Sequence, residues 1–248
     1  MTFQLFLYIW IIAAICTFIS LFFVSAPYGR HARKGWGLMI DNRLGWILME
    51  IVSPAVFAFF FLSGSQSKTP IVWIFFAAWL FHYINRSMIF PFRIKTQGKK
   101  MPLSIPLMAV FFNSVNGFTN GYYLGSLAVY PENWLTDIRF IVGIILFLVG
   151  WFINFQSDEI LLNLRKPGES GYKIPKGGFF RFISCPNYFG EIIEWSGFAI
   201  MTWSLPGLAF AVWTFANLAP RAFANHNWYQ NQFTDYPKER KALLPFLI

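Results

Sequence analysis

Charge is scarce in this sequence by the standard of ordinary proteins: only 12% of its 248 residues are Asp, Glu, Lys or Arg. A soluble domain usually carries about 25%. So few charges cannot clothe a water-facing surface, which excludes a freely soluble globule. Cysteine is nearly as scarce, with Cys16 and Cys185 alone. They make no disulfide framework and form no metal-ligand spacing, so no metal site is expected. No Gly-x-Gly-x-x-Gly run follows a strand pattern, which removes a Rossmann domain. A Walker lysine motif and a Ser-His-Asp order are missing as well.

Apolar residues fill the space instead, at 56% hydrophobic and 21% aromatic. They come in blocks of about 20 residues, the length that crosses a bilayer. Seven candidate spans lie at about 3–24, 45–63, 71–92, 103–125, 137–157, 186–203 and 205–224. The expected fold is therefore all-α, a polytopic membrane protein of about seven transmembrane helices. Phe3 to Val24 has no basic segment ahead of it and is too long for a signal-peptide core, so it is expected to stay as the first span. Asn113, Asn116, Gly117, Asn120 and Gly121 make the fourth span unusually polar; it is either broken or lines a cavity away from lipid. Pro206 follows span six closely and predicts a tight hairpin into span seven. No long linker or internal repeat is visible, and one membrane-embedded domain over 1–248 is the simplest reading.

The net charge of +9 does not mark a nucleic-acid binder, because no basic face is exposed to water. Instead 17 of the 20 Lys and Arg residues sit in alternate short connections. Arg30, Arg33, Lys34 and Arg43 follow span one, and Arg93, Lys95, Lys99 and Lys100 follow span three. Arg165, Lys166, Lys173, Lys176 and Arg181 follow span five, and Arg221, Lys238, Arg240 and Lys241 close the chain. The positive-inside rule then puts the N-terminus outside and the C-terminus in the cytosol.

Ionisable and amide groups inside spans are costly and point to function. Glu50 opens span two, as an interfacial ion-pair partner or as a functional group. Span three carries His82-Tyr83-Ile84-Asn85-Arg86, whose helical spacing makes one inward stripe. Helix–helix hydrogen bonding is the plain alternative, but four polar groups in five residues favour a site. Asn154, Gln156, Ser157, Asp158 and Glu159 end span five, and Pro167-Gly168 stop that helix before Glu169. Ser184 reads as the N-cap of the next helix, with Pro186 in its first turn. Asn187, Glu191 and Glu194 form a stripe at i, i+4 and i+7. Arg221, Asn225, His226 and Tyr229 follow on span seven. Cations beside carboxylates and amides suit a polyanion with ribose and amide groups, such as a dinucleotide. Contact with lipid headgroups explains the cations but not the Asn, Asp and Glu.

Several of these runs carry a resemblance: Asn154-Phe155-Gln156-Ser157-Asp158, Leu164-Arg165-Lys166-Pro167-Gly168-Glu169, Tyr172-Lys173-Ile174-Pro175-Lys176-Gly177-Gly178, Asn187 through Trp195, and Asp235-Tyr236-Pro237-Lys238-Glu239-Arg240-Lys241. From about Asn154 onward the chain resembles the steroid 5α-reductase family, as a microbial homologue. Glu50 and His82-Tyr83 fall where that family handles its substrate. The resemblance implies seven transmembrane helices, with substrate handling over about 1–125 and a cofactor signature over about 150–248. It implies NADPH-dependent reduction of the carbon–carbon double bond of a 3-oxo-Δ4-steroid or similar lipid enone. Asn154, Asp158, Arg165, Lys173, Asn187, Glu191, Arg221 and Tyr229 would be the cofactor contacts. Tyr83 and Glu50 would polarise the substrate carbonyl. The chain departs from the family at Ala224-Asn225-His226, in place of a His-rich run, and at Thr96-Gln97-Gly98-Lys99-Lys100. A sister group reduces enoyl thioesters or polyprenols. A methyltransferase of the isoprenylcysteine type, using S-adenosylmethionine, and a non-catalytic lipid-binding protein are the rivals. A steroid-like lipid and membrane lipid are the expected partners, with no nucleic acid and a monomeric state. The expected location is a bacterial inner membrane or the endoplasmic reticulum, with the cofactor site facing the cytosol.

The charge distribution makes a topological prediction. Cysteines introduced at Lys99 and Lys176 should react with an impermeant thiol reagent only once the inner side is opened. Labelling of either from outside would contradict the orientation.

Overall fold

The computed structural model describes residues 1–24, 29–31, 35–95, 98–166, 169 and 171–247. Arg33, Lys34, Thr96, Gln97 and the helix-stopping Pro167-Gly168 pair lie outside the described residues. The chain is mostly helical. Its helices are α1 (Phe3–Phe23), α2 (Asn42–Ser63), α3 (Pro70–Ile84), α4 (Phe90–Arg93), α5 (Ser104–Tyr122), α6 (Ile138–Asn163), α7 (Pro186–Thr202) and α8 (Leu205–Gln232). Among the described residues α1, α2 and α6 are long and apolar enough to cross a membrane. Ile12, Ile15, Ile19 and Phe22 lie exposed along α1, as do Ile145, Leu148, Val149 and Phe152 along α6. Apolar stripes of that length suit lipid rather than water. The chain divides into two compact units, Ala26–Asp137 and the discontinuous Met1–Ser25 with Ile138–Ile248.

The 26–137 unit is built on α2 and α5. Strand β1 (Met39–Asp41) pairs antiparallel with β2 (Lys100–Pro102), with Ile40 opposite Met101. Asp41 ends β1 and caps α2, its Oδ1 accepting from the N–H groups of Arg43 and Leu44 at 2.9 and 3.0 Å. Gly117, Gly121 and Gly125 let α5 and the turn after it lie against the backbone of α2. A Cβ on Gly121 would come within 2.5 Å of the Phe57 carbonyl oxygen. Beyond the C-terminus of α2, Lys68 Nζ donates to the carbonyls of Gly64, Gln66 and Gly125, at 2.8–3.0 Å. On the other flank Phe57 stacks on Trp79 at 4.6 Å and Trp79 on Tyr83 at 5.4 Å, so rings join α2 to α3.

Span three departs from its expected form. Regular helix ends at Ile84, and Asn85–Ile89 form a π-turn before α4. Pro91 brings no N–H to the carbonyl four residues back, and the wider turn accommodates the gap. His82 and Tyr83 are buried, whereas Arg86 is only half-buried, its guanidinium over the rings of Trp46 and Phe90 at 5.2 and 4.9 Å. Arg86 is thus turned to rings of α2 and α4. Span four is not broken in its middle: α5 runs to Tyr122, with Asn113, Asn116 and Asn120 buried, and a second π-turn follows at Tyr123–Leu127.

In the other unit α6 and α7 pack along glycines. A Cβ on Gly143 would fall within 2.4 Å of Met201 N, one on Gly150 within 2.3 Å of Glu194 N, and one on Gly197 within 2.4 Å of Phe147 N. Small residues of this kind are how helices approach closely where lipid supplies no hydrophobic drive. Only Trp203 and Ser204 separate α7 from α8, which makes the expected hairpin. Trp203 turns the chain in the left-handed region, at φ 43°, with the Arg139 guanidinium 5.3 Å from its ring. Helix α1 packs on α8, where Trp213 Nε1 donates to the Trp10 carbonyl at 2.9 Å.

Gly190 completes the glycine seam, since its Cβ would meet Asn154 N at 2.5 Å and the Gly150 carbonyl oxygen at 2.6 Å. Overpacking of this kind costs about 1–3 kcal/mol. Gly190→Ala should lower the unfolding temperature in detergent, and an unchanged transition would contradict the close packing.

Candidate functional site

Close approach of α6 and α7 sets the polar residues of the two helices against each other. Asn154 Nδ2 donates to the Asn187 carbonyl at 2.9 Å and to Glu191 Oε2 at 3.4 Å. Asn187 Nδ2 donates to Asp158 Oδ1 at 3.3 Å. Four residues singled out in the sequence thus form one network across the helix pair. Asn154 and Asp158 are buried, while Asn187 and Glu191 stay half-buried. Glu194, the third member of the α7 stripe, is fully buried where α7 meets α6 at Gly150.

The other singled-out residues in this unit are held locally. Arg165 Nη1 donates to the Gly171 carbonyl at 3.3 Å. Lys173 forms an exposed pair with Glu169, whose carboxylate also accepts from the Lys166 N–H. The Lys173 bond first, and then the Lys166 N–H, hold the Glu169 carboxyl below the usual range. Arg221 lies over the Tyr188 ring at 5.7 Å. Tyr229 is buried and stacks on Tyr236 at 5.3 Å. Glu50 and Tyr83 belong to the 26–137 unit, on α2 and α3. Tyr83 is 3% exposed and Glu50 half-buried.

Ser184 corrects its expected role. The residue capping α7 is Cys185, without a side-chain cap bond. The Ser184 hydroxyl instead lies 2.6 Å from both His226 Nδ1 and the Tyr236 hydroxyl, and donates to the Lys241 carbonyl at 3.1 Å. The backbone follows the same path: Lys241 N–H donates to the Phe182 carbonyl and Ser184 N–H to the Lys241 carbonyl, at 2.9 and 2.8 Å. A hydroxyl can make only a few bonds, and here α8 and the chain end take them all.

Arg240 is a candidate that sequence reasoning left out of the cofactor contacts, although its run is among those that carry the resemblance. It is 5% exposed and its guanidinium lies 5.3 Å from the Tyr236 ring. Its Nε and Nη1 are buried and find no hydrogen-bond partner among the described residues. A buried cation with unmet donors fits an anionic group such as a phosphate. Its neighbours come from a non-helical segment, so no periodicity announces it; the run Tyr236-Pro237-Lys238-Glu239-Arg240 is the only signal. The unit thus holds an amide–carboxylate network across α6 and α7 and, in separate local contacts, the guanidinium groups of Arg165, Arg221 and Arg240.

The family described as 3-oxo-5-alpha-steroid 4-dehydrogenase matches residues 99–248. A steroid 5-alpha-reductase of Gossypium hirsutum is 45% identical over 243 residues, 95% of this chain and 93% of that protein. The 3-oxo-5-alpha-steroid 4-dehydrogenase 1 of Bos taurus is 45% identical over 235 residues, 93% of this chain and 91% of its own length. The protein of the same name from Homo sapiens is 45% identical over 226 residues, 90% and 87% of the two chains.

The hub at Ser184 yields a test of the geometry. Ser184→Ala leaves the polar groups that it served without its hydroxyl, at a cost of about 1–3 kcal/mol. Limited proteolysis should then cut the 233–247 segment faster than in the parent protein. Equal cleavage rates would contradict the hub.

Proposed function

The chain belongs to the 3-oxo-5-alpha-steroid 4-dehydrogenase family, and on that premise we propose that it reduces the C=C bond of a 3-oxo-Δ4-steroid or similar lipid enone with NADPH. The family's members are oxidoreductases acting on CH–CH groups, and so is this protein. The observation that carries the reading is identity of 45% over nine-tenths of the chain to proteins named for this reaction. We assign the cofactor to Asn154, Asp158, Arg165, Lys173, Asn187, Glu191, Arg221 and Tyr229, and add Arg240. The buried donors of Arg240 and the amide–carboxylate network of α6 and α7 support the assignment. When bound, NADPH supplies the hydride that the β-carbon accepts.

The chain's own part is to make that carbon electrophilic. Negative charge grows on the carbonyl oxygen as the β-carbon takes the hydride, and a hydrogen-bond donor must be waiting for it. Tyr83 is assigned as that donor, because it is buried and its ring is held by those of Trp79 and His82. Glu50 is assigned as the second group on the same oxygen, through its carboxyl. A proton added at the α-carbon completes the CH–CH bond and leaves NADP⁺. Seven membrane-crossing helices with a cytosolic cofactor site belong to the same reading, since the basic connections lie on one side by the charge rule. Membrane lipid and a monomeric state complete it.

Purified protein given NADPH and a 4-ene-3-one steroid should consume the cofactor and yield the saturated 3-oxo-5α-steroid, seen by absorbance and mass spectrometry. Arg165→Ala should raise the apparent NADPH constant on the order of 10–150-fold, the equivalent of about 1.5–3 kcal/mol for a charge-assisted bond. Tyr83→Phe and Glu50→Gln should each lower turnover by about 10²–10³ while leaving NADPH binding intact. Near-parent turnover in both would remove the carbonyl assignment, and steroid that stays unreduced would remove the substrate class.

A further inference from the structure

Helix α2 carries a proline where a membrane helix can least spare a donor. Pro54 lies inside Asn42–Ser63, and it brings no N–H to the carbonyl four residues earlier, which is that of Glu50. Its ring also presses on that carbonyl. One residue before Glu50, a second helix intervenes. Asn113 of α5, 5% exposed, donates through Nδ2 to the Met49 carbonyl at 2.5 Å. The same turn is crowded from the same side, since a Cβ on Gly117 would lie 3.0 Å from the Ser53 carbonyl oxygen. The Ser53 hydroxyl is fully buried and has no hydrogen-bond partner among the described residues. So α2 lacks the bond that residue 54 would give to the Glu50 carbonyl, and one residue earlier an amide from α5 grips the Met49 carbonyl.

We infer that Asn113 is a positioning residue for Glu50: its amide holds the turn of α2 beside Pro54 and thereby sets where the Glu50 carboxyl points. The chemistry supports a dedicated tie. A proline-interrupted helix can swivel about the missing bond, and a swivel displaces every side chain on the turn. Asparagine supplies a donor on a short, stiff side chain, and a buried amide donor is costly to leave unmet. The contact reaches backbone rather than side chain, so it fixes the direction of the turn and not the identity of a neighbour. This inference rests on the assignment of Glu50 to the substrate carbonyl.

The experiment compares Asn113→Leu with the parent protein in two backgrounds, native and Glu50→Gln, with steroid turnover, NADPH affinity and unfolding temperature measured in each. Leu keeps the volume and removes the donor. In the native background turnover should fall by about 10–100-fold, as misplacement of a reacting group costs. The pH profile of turnover should shift, while the NADPH constant stays unchanged. In the Glu50→Gln background the same substitution should have no further effect, because the group it positions is already disabled. Should Asn113→Leu fail to fold, Asn113→Asp keeps the shape without the amide donor and takes its place. A fall by the same factor in both backgrounds, or unchanged turnover in the native one, overturns the positioning role and leaves the Glu50 assignment standing. Parent-like turnover of Glu50→Gln alone overturns the assignment itself.

Discussion

Everything proposed for the 1–25 and 138–248 unit depends on how near α6 comes to α7. Four glycines remove the side chains that would hold the two backbones apart, and added Cβ atoms would meet backbone at 2.3–2.5 Å. Only at that separation can the Asn154 amide reach both the Asn187 carbonyl and Glu191. Polar side chains buried beside lipid must find partners or pay a heavy desolvation cost. Glycine packing and the polar network are therefore one device: the first sets the distance, and the second needs it. Residues at the rim of that network stay half-buried, which leaves acceptors and donors available to a ligand as well as to each other.

The 26–137 unit solves a different problem with different means. Its α2 and α5 also meet at glycines, but one flank of α2 is aromatic, with Phe57, Trp79 and Tyr83 stacked in sequence. Stacked rings hold position through area and quadrupole rather than charge, so they can fix a phenol in an apolar setting without neutralising it. Asparagines on α5 then supply the few directed bonds. An apolar wall carrying a small number of aimed polar groups is the common form of a small-molecule site, and the proposed enone would use it.

Much of this was legible in the residues. Apolar blocks anticipated where the long helices start to within three residues, from Phe3 to Leu205, but not where they end: α6 runs on to Asn163 and α8 to Gln232, and α3 stops at Ile84. Asn154, Asp158, Asn187 and Glu191 could be singled out because helical spacing and quoted family runs converged on them. What escaped was non-periodic or long-range. The π-turn at Asn85–Ile89 interrupts span three where the apolar run gives no sign of it. Ser184 looked like a cap, yet a segment 57 residues further on competes for its hydroxyl. Arg240 lies in a stretch with no helical repeat to mark a buried side. Asn113 and Met49 are 64 residues apart, and nothing local to either discloses the bond.

The first helix belongs with the last ones. Trp10 and Trp213 are joined across 203 residues, and α1 has its packing partner in α8. During synthesis at about 5–20 residues per second, α1 would wait on the order of 10–40 s for that partner. In that interval its tryptophan-bearing face has only lipid or the insertion machinery for company. Assembly of this unit is thus gated by the final helix to be made. A ribosome stall or a premature stop anywhere before α8 would strand α1 as an orphan span, and quality control that recognises unassembled helices could read that face as its degradation signal.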